Sequence, residues 1–380
     1  MNPALPAFRL PLPADEFLSR YWQREPLVLR GAADGLDHPE PDLLAGLALE
    51  PGVEARLVRG SEEQGWSLQH GPFSEDELTA LPERDWTLLV QSVDCYLTEV
   101  SLLLDSFDFL PAWRLDDIMI SVAGDGGGVG PHFDRYDVFL VQARGRRRWK
   151  LGPVCDPYTP QRDAGGLRLL QDMPVTDEFV LDPGDVLYVP PWRAHWGVAE
   201  GGDCVTWSVG FRAPSAVELL ERLTDTALSR APEQLWTDAG RPTPDSPARL
   251  EDGDRQALAR TGTALLDDPS VRAEALGALL SEPRQASLDF AVDMGHILAG
   301  GPDTVLVRHG GVRLMFQDGE QGPELWLNGQ RRVLARDETD LAELLARKRR
   351  ITEAELAEVL TPGGEALLEE WINDGYFERA

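Results

Sequence analysis

Cysteine is scarce in this chain, and its cationic residues are outnumbered. The 380 residues include three cysteines, Cys95, Cys155 and Cys204, odd in number, widely separated and in no C-x-x-C arrangement. That pattern excludes a disulfide framework and a thiolate zinc knuckle, and it suits a reducing cytoplasm. No apolar run approaches the length of a membrane span, and the opening MNPALPAFRLPLPADEF lacks the basic-then-apolar order of a secretory leader. Membrane insertion and secretion are therefore not expected, and a cytoplasmic location is. Tandem repeats and low-complexity tracts are also missing. Lysine and arginine total 36 against 65 aspartates and glutamates, a formal net charge of −29. A surface this acidic repels phosphate backbones, which argues against direct nucleic-acid binding, and it draws basic partners by long-range steering.

What the chain does contain is enough apolar residues, 42%, to build two or three domains with ordinary cores. Residues 14–31 predict a short amphipathic helix carrying Phe17, Leu18, Tyr21 and Trp22, then a strand over 26–29 ending at Gly31. Ser74 and Glu77 have capping-box spacing, and WTLLVQSV, from Trp86, is strand-like. Beyond Trp113 short strands crowd together: DDIMISVAG, YDVFLVQ, RRRWKLG, DEFVLDPGDVLYVPP and DCVTWSVGF. Gly, Pro and Asp turns such as 182–185 separate them at intervals suited to an antiparallel barrel or sandwich, and they predict a cupin-type jelly-roll, a double-stranded β-helix. At Ser215, again with a capping-box partner in Glu218, the pattern turns helical, which puts a boundary near Pro214. Residues 236–254 read as a long loop, and helical periodicity returns in DRQALARTGTALL and VRAEALGALLSE. After Gly300 come two strands, TVLVRHGGVRLMFQ and ELWLNGQRRVLA, two helices, DLAELLARKRR and TEAELAEVL, and an amphipathic GEALLEEWINDGYF, a mixture that resembles a winged-helix module. Three segments follow: 1–214, the β-rich jelly-roll; 215–300, helical; and 301–380, winged-helix-like.

Chemistry concentrates in 126–150, GGGVGPHFDRYDVFLVQARGRRRWK. Residues two apart on a strand share a face, so His132 and Asp134 project together, with Tyr136, Val138 and Leu140 continuing that face inward. A His-x-Asp pair supplies two ligands of a facial site for non-haem Fe(II), and His195, in VPPWRAHWGV, is placed to supply the third from a distant strand. His38, His70, His296 and His309 lie outside the β-rich stretch and have no acidic partner at that spacing. Two imidazoles and one carboxylate leave three positions on an octahedral iron, enough for a bidentate oxoacid and dioxygen. The far carboxylate of such an oxoacid needs a cation. If Trp149 and Leu151 face inward, alternation puts Arg147 on their face and sends Arg146, Arg148 and Lys150 to the other, which makes Arg147 the candidate clamp. Asp117, Met119 and Ser121 share a face of the preceding strand, so Ser121 can bond the same carboxylate and Asp117 can meet a cationic group of the substrate.

The segments DDIMISVAGDGGGVGPHFDRYDVFLVQARGRRRW and LDPGDVLYVPPWRAHWG, followed by WSVGFRAPS, closely resemble the bacterial ribosomal-protein oxygenases of the JmjC/cupin class. The resemblance extends to YWQREPLVLRG and loosely to the C-terminal half. It implies an Fe(II)- and 2-oxoglutarate-dependent arginine 3-hydroxylase that uses O2 and acts on a large-subunit ribosomal protein of the L-sixteen type. By position it assigns His132, Asp134 and His195 to iron, Arg147 and Ser121 to 2-oxoglutarate, and Asp117, Tyr136 and Ser208 to the substrate arginine. It further implies a homodimer formed through 215–300. Three rivals are a JmjC-type lysine demethylase, a nucleic-acid-modifying oxygenase suggested by the tail and its ARKRR run over 346–350, and a non-catalytic cupin scaffold.

Overall fold

The computed structural model of the chain describes residues 8–36, 38–233, 235–283 and 304–379; the end of the expected helical segment and His296 lie outside them. In chain order the first eleven strands are β1 (Leu27–Leu29), β2 (Ala55–Ser61), β3 (Gly65–His70), β4 (Trp86–Val90), β5 (Leu115–Ala123), β6 (Asp137–Val154), β7 (Gln161–Ala164), β8 (Leu167–Leu170), β9 (Asp177–Leu181), β10 (Val186–Val189) and β11 (Arg193–Phe211). Nine of them form one sheet in the order β1-β10-β6-β11-β5-β4-β2-β3, with β9 also pairing β6, and β7 and β8 make a separate hairpin. The pairings within this sheet are antiparallel. Antiparallel neighbours can be joined by the short Gly, Pro and Asp turns that the sequence supplies.

One strand is longer than the sequence suggests. YDVFLVQ and RRRWKLG are read there as separate strands, but they form the single 18-residue β6. Gly145 explains the continuity: its φ of 64° lets the strand bend without ending, and a Cβ there would meet the Asp203 carbonyl at 2.9 Å. Before this bend β6 pairs β10, and after it β9, while β11 follows it on the other edge.

Alternation along these strands builds the core. Phe139 and Val141 of β6, Tyr188 of β10 and Phe211 of β11 face one side, where Phe17, Trp22 and Phe107 pack on them; Phe139 and Tyr188 have ring centroids 4.9 Å apart. Phe17 comes from the helix Ala14–Arg20, so the N-terminal amphipathic helix is present and seals this face. A carboxylate buried beside this cluster, Asp137, is paired: Tyr188 Oη, Gln23 Nε2 and Arg114 Nη2 donate to it at 2.6, 3.0 and 2.9 Å. Burial pushes its carboxyl up against the pull of those donors.

By contacts the chain divides into two units: one draws on Met1–Ala213, Arg284–Val312 and Asp340–Ala380, the other on Pro214–Pro283 and Arg313–Thr339, in their described parts. In the first unit β12 (Thr304–Arg308) begins the C-terminal portion. The strands β13 (Leu314–Asp318), β14 (Pro323–Leu327) and β15 (Gln330–Val333) form a meander in the second unit. They are followed by β16 (Arg350–Thr352) and β17 (Phe377–Glu378), which flank β12 in the first. Four strands thus stand where two are expected between residues 304 and 333. The Asn328–Gly329 pair, at φ of 47° and 82°, makes the two-residue hairpin turn that splits ELWLNGQRRVLA. Three helices, Ala216–Arg230, Asp252–Thr263 and Pro269–Ser281, complete the second unit. The first of them opens on the expected capping box, in which Ser215 and Glu218 bond each other's backbone amides.

Candidate metal centre and cosubstrate cavity

The sheet face opposite the aromatic core lines a cavity of about 210 Å³. Strand parity selects what enters it. On β5, Met119 and Ser121 face the cavity, while Ile118 and Ile120 belong to the core. On β11, Thr206 and Ser208 alternate in the same way with Val205 and Trp207, and on β6 Val138 and Leu140 alternate with Phe139 and Val141. After the bend, Arg147 and Trp149 continue the cavity side of β6.

His132, Asp134 and His195 meet at one end, with their ligand atoms within 4.8 Å of one another. The Asp134 Oδ2 lies 4.0 Å from His132 Nε2 and 3.5 Å from His195 Nε2. The first two residues precede β6 and are not in a strand, as the spacing argument assumes; only His132 forms a bridge, with His195. What holds them is the backbone of β11. His132 and His195 exchange N–H···O bonds of 3.0 and 2.8 Å, and the Trp192 N–H donates to the Asp134 carbonyl at 2.6 Å. The glycine run makes the approach possible: Gly128 bridges Val198, and a Cβ on it would lie 2.4 Å from the Gly197 carbonyl.

Both imidazoles are oriented for coordination. His132 Nδ1 bonds the Gly130 carbonyl and His195 Nδ1 the Arg193 carbonyl, each at 2.9 Å. A carbonyl can only accept, so each Nδ1 carries the proton and each Nε2 presents its lone pair to the shared point. His195 is 2% exposed. Burial, with His132 beside it, holds its imidazole down to about 4, so the ring is neutral, as a ligand must be. Two imidazoles and one carboxylate with this convergence fit a non-haem Fe(II).

Arg147 is 4% exposed, and its Nε and Nη2 find no hydrogen-bond partner among the described residues. Its guanidinium lies 5.8 Å from the centre of the Trp149 ring. The flanking arginines go the other way: Arg148 bonds Glu178 and Glu200 at 2.5 and 2.6 Å, and Arg146 pairs with Asp182 at 3.0 Å. A buried cation with unmet donors in a cavity that also carries metal ligands suits an anionic cosubstrate. Ser121 lines the same cavity, and its hydroxyl makes only a 3.4 Å bond to the Thr206 carbonyl.

Of the residues expected near a substrate, Tyr136 and Ser208 line the cavity. Asp117 does not; it is buried on the same side of β5 as Met119, and its Oδ2 accepts from Gln91 and Ser92. Two arginines that the sequence reading passes over also line the space, Arg56 of β2 and Arg168 of the β7–β8 hairpin. Alternation in ARLVRGS separates Arg56 from Ala55 and Leu57 but does not say that its face enters a cavity, and nothing local marks Arg168.

Residues 102–219 match the family described as the JmjC domain, a span that contains all three candidate ligands. Over 387 aligned residues the chain is 35% identical to the ribosomal protein uL16 3-hydroxylase of Escherichia coli strain K12, covering 97% of this chain and 98% of that one. It is 39% identical over 260 residues to a probable ribosomal oxygenase of Haemophilus influenzae, covering 68% of this chain and 61% of the relative. A solved structure of Escherichia coli YcfD superposes with a TM-score of 0.84 at 32% identity, over 98% of this chain and 100% of that one. Another, of YcfD as a ribosomal oxygenase in complex with cobalt and 2-oxoglutarate, gives 0.80 at the same identity, over 98% and 99%. The chain belongs to the ribosomal oxygenases of the JmjC/cupin class.

Proposed function

We propose that this chain is an Fe(II)- and 2-oxoglutarate-dependent oxygenase that hydroxylates an arginine side chain, at C3, in the large-subunit ribosomal protein uL16. The observation that carries it is the convergence of His132, Asp134 and His195 in a cavity that also holds the buried guanidinium of Arg147. The similarity to the Escherichia coli uL16 3-hydroxylase over nearly the whole of both chains supports the substrate.

In this reading Fe(II), 2-oxoglutarate and O2 together supply oxidative decarboxylation to succinate and carbon dioxide, coupled to insertion of one oxygen atom into a C–H bond. The protein supplies binding, orientation and exclusion of water. The two Nε2 lone pairs and the Asp134 carboxylate hold the metal. Arg147 holds the distal carboxylate of 2-oxoglutarate through its unmet donors, and the Ser121 hydroxyl turns from its long bond to the same group. Around the substrate arginine, Tyr136 packs on the aliphatic stem and Ser208 flanks it.

A division of labour goes with this proposal: 1–214 is catalytic, 215–300 dimerises, and 301–380 is winged-helix-like. It differs from the division by contacts, in which Arg313–Thr339 joins the second unit. Support for a homodimer comes from the helix Ala216–Arg230, where Val217, Leu220 and Leu228 are exposed at helical spacing. Against a nucleic-acid role, two of the four cations in the ARKRR run are engaged: Arg349 is buried and bonds Asp105 at 3.0 Å, and Lys348 pairs with Glu355.

The test is incubation of the protein with Fe(II), 2-oxoglutarate and recombinant uL16. Succinate formation with a gain of one oxygen on an arginine is expected. Loss of methyl groups without oxygen gain selects the demethylase, and no succinate with any substrate selects the scaffold.

A further inference from the structure

The three candidate ligand side chains are not held alike. Each imidazole has a second bond that fixes its ring, from Nδ1 of His132 to the Gly130 carbonyl and from Nδ1 of His195 to the Arg193 carbonyl. The Asp134 carboxylate has no such bond: among the described residues it meets only the two imidazoles, and its side chain is 24% exposed. A ligating carboxylate is ordinarily fixed by an outer hydrogen bond of its own. What directs this one must act through the backbone on either side of it.

One residue reaches that backbone from three directions. Residues 190–193 form a turn closed by the Arg193 N–H, which donates to the Pro190 carbonyl at 3.3 Å. Proline stands second in this turn, and the third residue, Trp192, has φ of 66°, a setting that favours glycine. A bulky side chain there is strained and persists only where its contacts over-determine it. Those contacts all bear on the ligand segment or its surroundings. The Trp192 N–H donates to the Asp134 carbonyl at 2.6 Å, and the Trp192 carbonyl accepts from the Cys155 N–H at 2.7 Å. The indole stacks on Phe133, with centroids 5.5 Å apart and planes 30° apart, and the Arg135 guanidinium lies 5.3 Å from the indole centre. Phe133 and Arg135 are the two chain neighbours of Asp134. A single ring thus holds the residue before the ligand and the residue after it. With both neighbours drawn to the indole, the Asp134 side chain between them is turned toward the imidazoles.

We propose that Trp192 is a positioning residue whose ring takes the place of the missing hydrogen bond, fixing the Asp134 carboxylate against the two histidines and so setting how tightly the metal is held. The proposal rests on the reading of His132, Asp134 and His195 as metal ligands. Trp192 itself is outside the cavity lining, so it acts through Asp134 and not on the cosubstrate.

The experiment titrates Mn(II) into the metal-free, full-length protein, reads the free ion by electron paramagnetic resonance, and records urea unfolding on the same metal-free samples. Trp192→Gly and Trp192→Asn tolerate the left-handed setting and keep the N–H, so each removes the ring alone. Each weakens Mn(II) by about tenfold, as loss of an outer partner of a metal ligand does. Their urea midpoints stay near the wild-type value, because relief of the strained setting offsets the lost ring contacts. Trp192→Phe keeps a ring between Phe133 and Arg135 and holds Kd within about twofold of the wild type. An unchanged Kd in the Gly and Asn variants, with or without a lower urea midpoint, overturns the proposal and leaves the ring as packing. So does a loss in Trp192→Phe as large as that in Trp192→Gly. Arg135→Ala strips the exposed face of the stack and weakens Mn(II) in the same direction. It carries the test if the ring variants do not fold, and an unchanged Kd there overturns the proposal. If the wild type binds Mn(II) no more tightly than His132→Ala, the metal assignment fails and this proposal with it. If the wild type binds more tightly than His132→Ala and the ring variants match it, only this proposal fails.

Discussion

Replacing Arg147 by methionine separates a cosubstrate clamp from a structural cation. Methionine keeps much of the stem volume, so the packing against Trp149 changes little. What disappears is a guanidinium that is 4% exposed and has two unsatisfied N–H-bearing nitrogens. Burying such a charge costs the metal-free protein several kcal/mol, so Arg147→Met should be as stable as the wild type in urea, or more so. The cosubstrate loses a buried, charge-assisted partner. Truncating one side of such a pair costs about 2–5 kcal/mol, which raises KM for 2-oxoglutarate roughly 30- to 4,000-fold. Arg148→Met is the matched control. Its side chain is 38% exposed and pairs with Glu178 and Glu200 on the other face, so its loss changes stability little and leaves KM alone. Succinate release against 2-oxoglutarate concentration, with urea unfolding of the metal-free proteins, reads both quantities. Equal KM shifts in the two variants would refute the argument from strand face. So would an Arg147→Met protein that is destabilised by several kcal/mol with its KM intact.

His132→Ala and Asp134→Ala should each abolish 2-oxoglutarate turnover while circular dichroism stays native, because these side chains are 23% and 24% exposed and lie outside the sheet; turnover in both variants would sink the iron assignment. Phe139→Ala, at the centre of the aromatic cluster, should cost about 3–5 kcal/mol of stability in urea. Lys348, first, and the Thr352 amide hold the Glu355 carboxyl down to about 2 from 4.5. Because the folded value is the lower one, this stabilisation is complete above pH 4.5 and is lost as the pH falls toward 2; Glu355→Gln should flatten that part of the stability–pH curve. Leu220→Asp combined with Leu228→Asp should shift a dimer toward monomer by light scattering, and an unchanged mass would move the interface elsewhere.

The chemistry of this site was more legible than its scaffolding. His132 and Asp134 sit two residues apart in sequence, and an imidazole paired with a carboxylate is conspicuous in a glycine-rich stretch. Arg147 could be separated from its neighbours because a strand has a period of two, and a parity argument needs no tertiary knowledge. Parity also misled: His132 and Asp134 converge although they are not on a strand, because backbone bonds to β11 replace the strand geometry. The contacts of Asp117 and the place of Arg56 were not legible. Gln91, at the end of β4, reaches Asp117, and Arg56 of β2 reaches the cavity, only through the pairing of β2 with β4 and of β4 with β5, and that register is set by long-range contacts that no local pattern carries. The Asn328–Gly329 turn, in contrast, was available as a two-residue signal and was read through.

The ladder between β6 and β11 has a further consequence, for tolerance to insertion and deletion. His195 stands opposite Leu151 and Ala199 opposite Arg147, so four residues of β6, about 13 Å, separate the level of a metal ligand from the level of the clamp. From His195 to Glu200 the register runs unbroken, and the irregularities fall just outside it, at Arg193/His195 and between Glu200 and Val205. The interval therefore acts as a gauge with slack only at its ends. Extra residues in 201–204 would be absorbed by the existing bulge, whereas one residue added to β6 between 148 and 150 would exchange Arg147 for an outward-facing neighbour and change the length of diacid that the cavity can span.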